Sequence, residues 1–175
     1  MDTGYAKYAD SKTQSAGSFD RWKYSFVRQQ YLANRLTGTL SFNGQYTDKN
    51  LETSQQLSMG GINGVRAYQH DVVSGDKGWL GRAEIKWAMN PIQKGKEAWQ
   101  LVGFYDAGKA EVNVKSWPGV IDNNVFLRGI GIGINWTDPG KMSVKTTYAW
   151  KVGHIQSEYE NNNNGYFWLQ MATYF

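Results

Sequence analysis

Stretch after stretch of this chain alternates apolar and polar residues with a period of two, and several polar faces carry full charges in mid-strand. From 36 to 46, Leu36, Gly38, Leu40, Phe42, Gly44 and Tyr46 fall on one side, and Thr37, Thr39, Ser41, Asn43 and Gln45 on the other. From 79 to 89, Trp79, Ala83, Ile85, Trp87 and Met89 oppose Arg82, Glu84 and Lys86. Period two marks a strand with unlike faces. An aromatic face opposite a charged one fits a soluble sheet packed on a core, or a barrel wall between lipid and water. In a barrel, an Arg or Lys facing lipid at mid-membrane costs about 2–4 kcal/mol, so the charged face must be the lumen face.

The same reading places strands over 19–32, 98–106, 126–136, 142–151 and 166–175, with a further candidate over 1–10. In the first of these, Trp22, Tyr24 and Phe26 share a face that Arg28 and Gln30 interrupt, as near a membrane boundary. About eight strands result. Their connections alternate between short (33–35, 90–97, 137–140) and long (10–18, 47–78, 108–124, 152–165). Up-and-down membrane barrels show this alternation, with short periplasmic turns and longer outer loops. The chain ends on Phe175 in its last strand, as many outer-membrane proteins end on an aromatic residue. The expected fold is all-β: an antiparallel up-and-down transmembrane β-barrel, with 1–175 as one unit and the outer membrane as its location.

Composition discriminates at a few points. The 175 residues include 8 Trp and 11 Tyr, which suit a membrane–water boundary, and 3 Pro, few enough for long paired strands. Mean hydropathy is −0.59, and no run approaches the roughly 18 apolar residues of a membrane helix. That excludes a helical membrane protein and leaves a barrel open. The net charge of +4 is scattered and accompanies no recognisable nucleic-acid module, so no nucleic-acid partner is expected. Cysteine is absent, which removes a disulfide framework and a thiolate metal site. No catalytic residue, metal ligand set or cofactor is expected. Asp2-Thr3-Gly4-Tyr5 has neither the basic start nor the apolar core of an export signal, so a fragment of an exported protein is expected.

The connection over 47–78 is too long and too glycine-rich for a hairpin turn. Its centre reads Met59-Gly60-Gly61-Ile62-Asn63-Gly64-Val65-Arg66-Ala67-Tyr68. On the flanking strands, Glu84 and Asp106 both fall on the expected lumen face, along with Arg82 and Lys86.

These motifs resemble a known family. Met59-Gly60-Gly61 followed by Val65-Arg66-Ala67-Tyr68 is similar to the loop signature of the polypeptide-transporting barrels related to BamA. Gly103-Phe104-Tyr105-Asp106-Ala107-Gly108 resembles their Phe-x-Asp-x-Gly strand motif. Gln55-Gln56-Leu57-Ser58-Met59-Gly60-Gly61 and Gly75-Asp76-Lys77-Gly78-Trp79 look like the two-partner secretion transporters, the haemolysin secretion/activation family. The resemblance runs from about 19 to the end. It implies the C-terminal half of a sixteen-stranded barrel that exports a large partner protein (a haemolysin, adhesin or contact-dependent toxin), sits in outer-membrane lipid and is inserted by the barrel assembly machinery. The long loop would fold back into the lumen, with Val65, Arg66, Ala67 and Tyr68 at its tip, Asp106 as the acidic partner of Arg66 and Glu84 as another. Phe104, Asp106 and Gly108 would form the strand motif, and Phe175 the C-terminal assembly residue. Gly129, Gly131 and Gly133 would leave room for the tucked loop.

Two positions depart from the family pattern. Ala67 replaces the usual glycine, and an alanine would be strained if a positive φ were needed there. Thr173 stands where an aromatic or aliphatic residue is common, while Phe167, Leu169, Met171 and Phe175 keep the outer face apolar. Eight strands can be half of a wider barrel, a half-barrel paired with a second copy, or a small closed barrel. A closed eight-stranded barrel has an interior just filled by side chains, so it would exclude the loop and lose the Arg66–Asp106 pair. On this reading the pairing depends on strands absent from the chain. Two other classes compete. One is a barrel enzyme or pore, for which His70, His154 or an Asp106/Glu84 acid–base pair would serve. The other is a soluble carbohydrate-binding β-domain that uses Trp and Tyr as platforms.

Overall fold

A computed structural model describes residues 18–90, 97–115, 123–153 and 163–174. In chain order its strands are β1 (Arg21–Ala33), β2 (Leu36–Thr47), β3 (Leu57–Ser58), β4 (Ser74–Gly75), β5 (Lys77–Ala88), β6 (Ala98–Glu111), β7 (Asn124–Asp138), β8 (Met142–Lys151) and β9 (Gly165–Thr173). Seven of them form one antiparallel sheet in the order β1-β2-β5-β6-β7-β8-β9. β3 and β4 pair within the long loop, after a 3-10 turn over Thr53–Gln55. The candidate strand over 1–10, His154 and Phe175 lie outside the described residues.

Among the described residues the sheet is open. β1 pairs with β2 alone and β9 with β8 alone, so the described strands form a wall and not a small closed barrel. The wall follows from the sequence period. Its outer face carries exposed Phe26, Leu40, Ile85, Tyr105, Ile132 and Phe167. Its inner face carries the charged and small residues. Tyr24, Phe42, Trp79 and Phe126 run as a chain of ring contacts across the outer face at the long-loop end, and Trp99 meets Trp136 at the opposite end. Trp79 and Trp87 are eight residues apart on β5, roughly 26 Å along a strand and about 20 Å in height once the strand tilts, which falls within an apolar band about 25 Å tall. At the short-turn end, Asp138-Pro139-Gly140 closes tightly: Lys141 N–H donates to Asp138 O at 3.1 Å and Gly140 has φ +78°, where a side chain would be strained.

One expectation needs correction. β6 continues to Glu111, so Gly108 lies in a strand and the loop expected over 108–124 is shorter. The reason is packing: Gly108 and buried Ala110 are small inner-face residues that receive the loop. Arg28 lies on the outer face, where register pairs it with Leu40 and, through Leu40, with Ala83, Tyr105 and Ile130. Its guanidinium bonds Gln30 Oε1 at 2.9 Å on that face.

The core is the loop itself. Met59, Val65, Ala67, Tyr68 and Val73 pack on inner-face Leu80, Val102, Phe104, Ala110, Val125, Leu127 and Ala149 in one buried cluster. Fully burying each large apolar side chain contributes about 1.5–3 kcal/mol, so the loop is held by the same force that holds a core together.

Candidate functional site

The loop tip is tied to itself before it meets the wall. Val65 N–H donates to Met59 O at 2.7 Å, Gly61 N–H to Tyr68 O at 3.0 Å, and Tyr68 N–H to Val65 O at 3.1 Å. A Cβ on Gly64 would collide with the backbone of Met59, so this closure requires glycine. Ala67 is not among the described residues with positive φ, and the strain considered for an alanine there does not arise.

Strand register then sets four inner-face side chains in a square. Arg82 lies opposite Asp106, and Glu84 opposite Phe104. Arg66 comes down over them. Its Nε donates to Asp106 Oδ2 at 2.8 Å, its Nη2 to Asp106 Oδ1 at 2.7 Å and its Nη1 to Glu84 Oε1 at 2.7 Å. The Arg66 backbone N–H adds a 3.1 Å bond to Asp106 Oδ2. The guanidinium carbon lies 3.5 Å from the centroid of the Phe104 ring. Arg66 is 5% exposed and Asp106 fully buried. Such a charge is tolerable only when paired, and a planar fork matches a carboxylate through two parallel bonds. Burial alone would lower the pKa of the loop's Arg66, but the hydrogen bond and charge of Asp106, then those of Glu84, raise it above its ordinary value and hold it charged.

The remaining motif residues make room. A Cβ on Gly108 would strike Met59, and one on Gly129 would lie 2.6 Å from Ala67 Cβ. Gly131 accommodates the Phe104 ring, whereas Gly133 meets β8 and leaves no space used by the loop. Tyr68 is buried, with Lys151 Nζ 5.2 Å from its ring centroid. Thus Val65, Arg66, Ala67, Tyr68, Glu84, Phe104, Asp106 and Gly108 meet in one place. Arg66 pairs with Asp106 of β6 and Glu84 of β5 on an open wall, so the closed eight-stranded barrel expected to lose the pair is not the form described.

Three contributors carry no role in the sequence reading. Arg82 Nη2 donates to Ile62 O at 3.0 Å and Gly64 O at 2.6 Å, so it grips the tip by its backbone. Trp168, an inward residue of β9, donates from its indole to Arg66 O at 2.7 Å. The signal it offers in the sequence is position: Trp168 alternates with Phe167 and Leu169, so it faces the lumen. Asp76, fully buried, accepts from Leu51 N and Gln56 Nε2 on Oδ1 and from Val114 N on Oδ2, at 2.9–3.0 Å, and joins the loop base to the segment after β6. His70 is exposed and stacks edge-on with Trp168. Among the described residues, no group of three or more His, Cys, Asp or Glu could hold a metal ion.

The sequence model of the family "Haemolysin secretion/activation protein ShlB/FhaC/HecB" matches residues 4–136. The chain is 28% identical over 162 residues to the heme/hemopexin transporter protein HuxB of Haemophilus influenzae (strain 86-028NP), covering 93% of this chain and 28% of that protein. It is 30% identical over 91 residues to the outer membrane transporter CdiB of Dickeya dadantii (strain 3937), covering 52% of this chain and 15% of that one. The solved structure of CdiB from Escherichia coli superposes with a TM-score of 0.77 at 21% identity, over 93% of this chain and 29% of that one. CdiB from Acinetobacter baumannii gives 0.58 at 22% identity, over 81% and 25%. The chain therefore spans under a third of the length of these relatives, and the structural likeness is one of fold.

Proposed function

The chain belongs to the haemolysin secretion/activation protein family ShlB/FhaC/HecB, and from that premise we propose that it forms the C-terminal part of an outer-membrane barrel that secretes a large partner protein. The lumen loop over 47–78 is the latch of that barrel. The relatives are named as transporters, one of heme/hemopexin and one of the outer membrane. The edges of β1 and β9, unpaired among the described residues, pair with further strands, from the same polypeptide or from a second copy as a half-barrel, and the barrel assembly machinery inserts the whole into lipid.

The observation that carries this reading is the manner in which the loop is held. Arg66 is anchored at a single buried cluster, while its apolar neighbours pack on small inner-face residues. A loop that closes upon itself and meets the wall through side chains, with one buried ion-pair cluster at its tip, can be displaced as a unit, which a transporter needs and a static pore wall does not. An acid–base role for Asp106 and Glu84 is less well supported, because both carboxylates are engaged by Arg66.

The test is secretion by the transporter carrying this chain, with its cognate passenger. Arg66→Ala should cut secretion at least tenfold while membrane abundance and heat-modifiable gel migration persist. Unchanged secretion would remove the latch from the mechanism. A chain that stays folded in buffer without detergent or lipid would defeat the membrane barrel.

A further inference from the structure

Next to the latch lies a polar cavity of about 300 Å³. Arg82, Glu84 and Lys86 of β5 form one wall, Lys145 and Thr147 of β8 another, and Arg66 closes it from the loop. Register sets Lys86 and Thr147 at one level, across Val102 and Gly133. That level is one inner-face row beyond the Glu84–Phe104 pair, on the side away from the loop base.

The charges lining this cavity do not cancel. Its four cations face one lining carboxylate, Glu84, with Asp106 behind Arg66. Glu84 is already taken by Arg66 at 2.7 Å and Lys86 at 3.2 Å, and Asp106 by Arg66. Among the described residues no carboxylate lies within ion-pair distance of Arg82 or Lys145. Two buried polar atoms in the lining also lack a hydrogen-bond partner, Arg82 Nε and Thr147 Oγ1. Thr147 is nine-tenths buried. Buried donors without acceptors are rare because they forfeit their bonds to water. Unmatched positive charge beside unmatched donors is complementary to an oxyanion.

We propose that this cavity binds the carboxylate of an acidic segment of extended polypeptide. A carboxylate has enough lone pairs to accept from the Thr147 hydroxyl and the ammonium groups of Lys86 and Lys145. The choice of a peptide rather than a free ion rests on the transport reading, since that reading routes an unfolded chain through the lumen. The site itself rests on the geometry alone. An entering carboxylate competes with Glu84 for Lys86 and Arg66, so binding here loosens the latch from the side the peptide occupies.

The experiment is fluorescence anisotropy of a labelled hexaglutamate peptide on the protein in lipid nanodiscs, beside hexalysine and inorganic phosphate. Hexaglutamate should bind and hexalysine should not. Lys145→Gln, a change at an exposed residue, should weaken binding about tenfold, and Thr147→Val about threefold. Higher salt should weaken it further. Unchanged affinity in Lys145→Gln, or equal binding of hexalysine, overturns the proposal. Phosphate binding with this residue dependence, without peptide binding, assigns the cavity to a free anion and overturns the peptide assignment. The transport reading fails separately: a protein that binds hexaglutamate through Lys145 yet secretes nothing defeats transport and leaves the site. One that secretes normally but binds no hexaglutamate defeats the site alone.

Discussion

Trp168 and Arg66 stand 102 positions apart, yet the indole N–H of one donates to the backbone carbonyl of the other at 2.7 Å. The bond joins the loop tip to β9, the last described strand. The same tip bonds β5 through Glu84 and Arg82 and β6 through Asp106. Replacing Trp168 by Phe keeps an aromatic ring and deletes the donor. The expected cost is about 1 kcal/mol, the net worth of one hydrogen bond. Backbone hydrogen exchange at Val65 to Tyr68 should quicken by severalfold, and an unchanged rate would show that the contact does not hold the tip.

Arg66→Lys should behave much more like Arg66→Ala than a conserved charge suggests. Lysine cannot make two parallel bonds to Asp106, reach Glu84 and stack on Phe104 at once. Removing one partner of a buried pair costs about 3–5 kcal/mol because the other charge is left uncompensated. In a double-mutant cycle with Asp106→Asn, the two losses should therefore be strongly non-additive. Unfolding in lipid vesicles measures this, and additive losses would contradict the pairing.

Gly129→Ala should push the tip off the wall, because the new methyl would lie 2.6 Å from Ala67 Cβ. Ala67→Gly in the same protein removes that obstacle and should restore docking. Protease nicking within 47–78 reads the outcome: more cleavage in the single variant, near the original level in the pair. Equal cleavage in both would show that another contact sets the fit.

Arg28→Leu should stabilise the wall in lipid. The register places this cation on the apolar face, paired with Leu40. Arginine at mid-membrane is unfavourable by about 2–4 kcal/mol, less where it reaches polar partners, so a gain of up to about 2 kcal/mol is expected. Urea unfolding in vesicles checks it. A loss of stability would mean that Arg28 meets a polar neighbour when the β1 edge is paired.

Much of the wall is legible in the sequence, because a strand's two faces are written in adjacent letters. The alternation over 36–46 and 79–89 places Arg82, Glu84 and Lys86 inward, and the same rule applied to β6 places Asp106 beside them. The 47–78 connection stands out through its glycines. Trp168 and Asp76 are harder to read. Their roles depend on groups remote in sequence, and one indole or carboxylate carries no periodic signal. Arg28 interrupts the apolar face when β1 is taken alone, and only the register shows which outer-face residues flank it across the sheet.

The sequence by itself determined which residues share a face, since side-chain direction in a strand depends only on the parity of its position. It also marked Arg66 as a charge that would need a carboxylate. Only the tertiary structure decided that Arg66 reaches both carboxylates on one open wall, with Trp168 of β9 bonded to the same tip. That outcome depends on curvature, on the space left by Gly108 and Gly129, and on the loop closing upon itself. These are matters of distance between atoms that the chain brings together from far apart, and no local pattern encodes them.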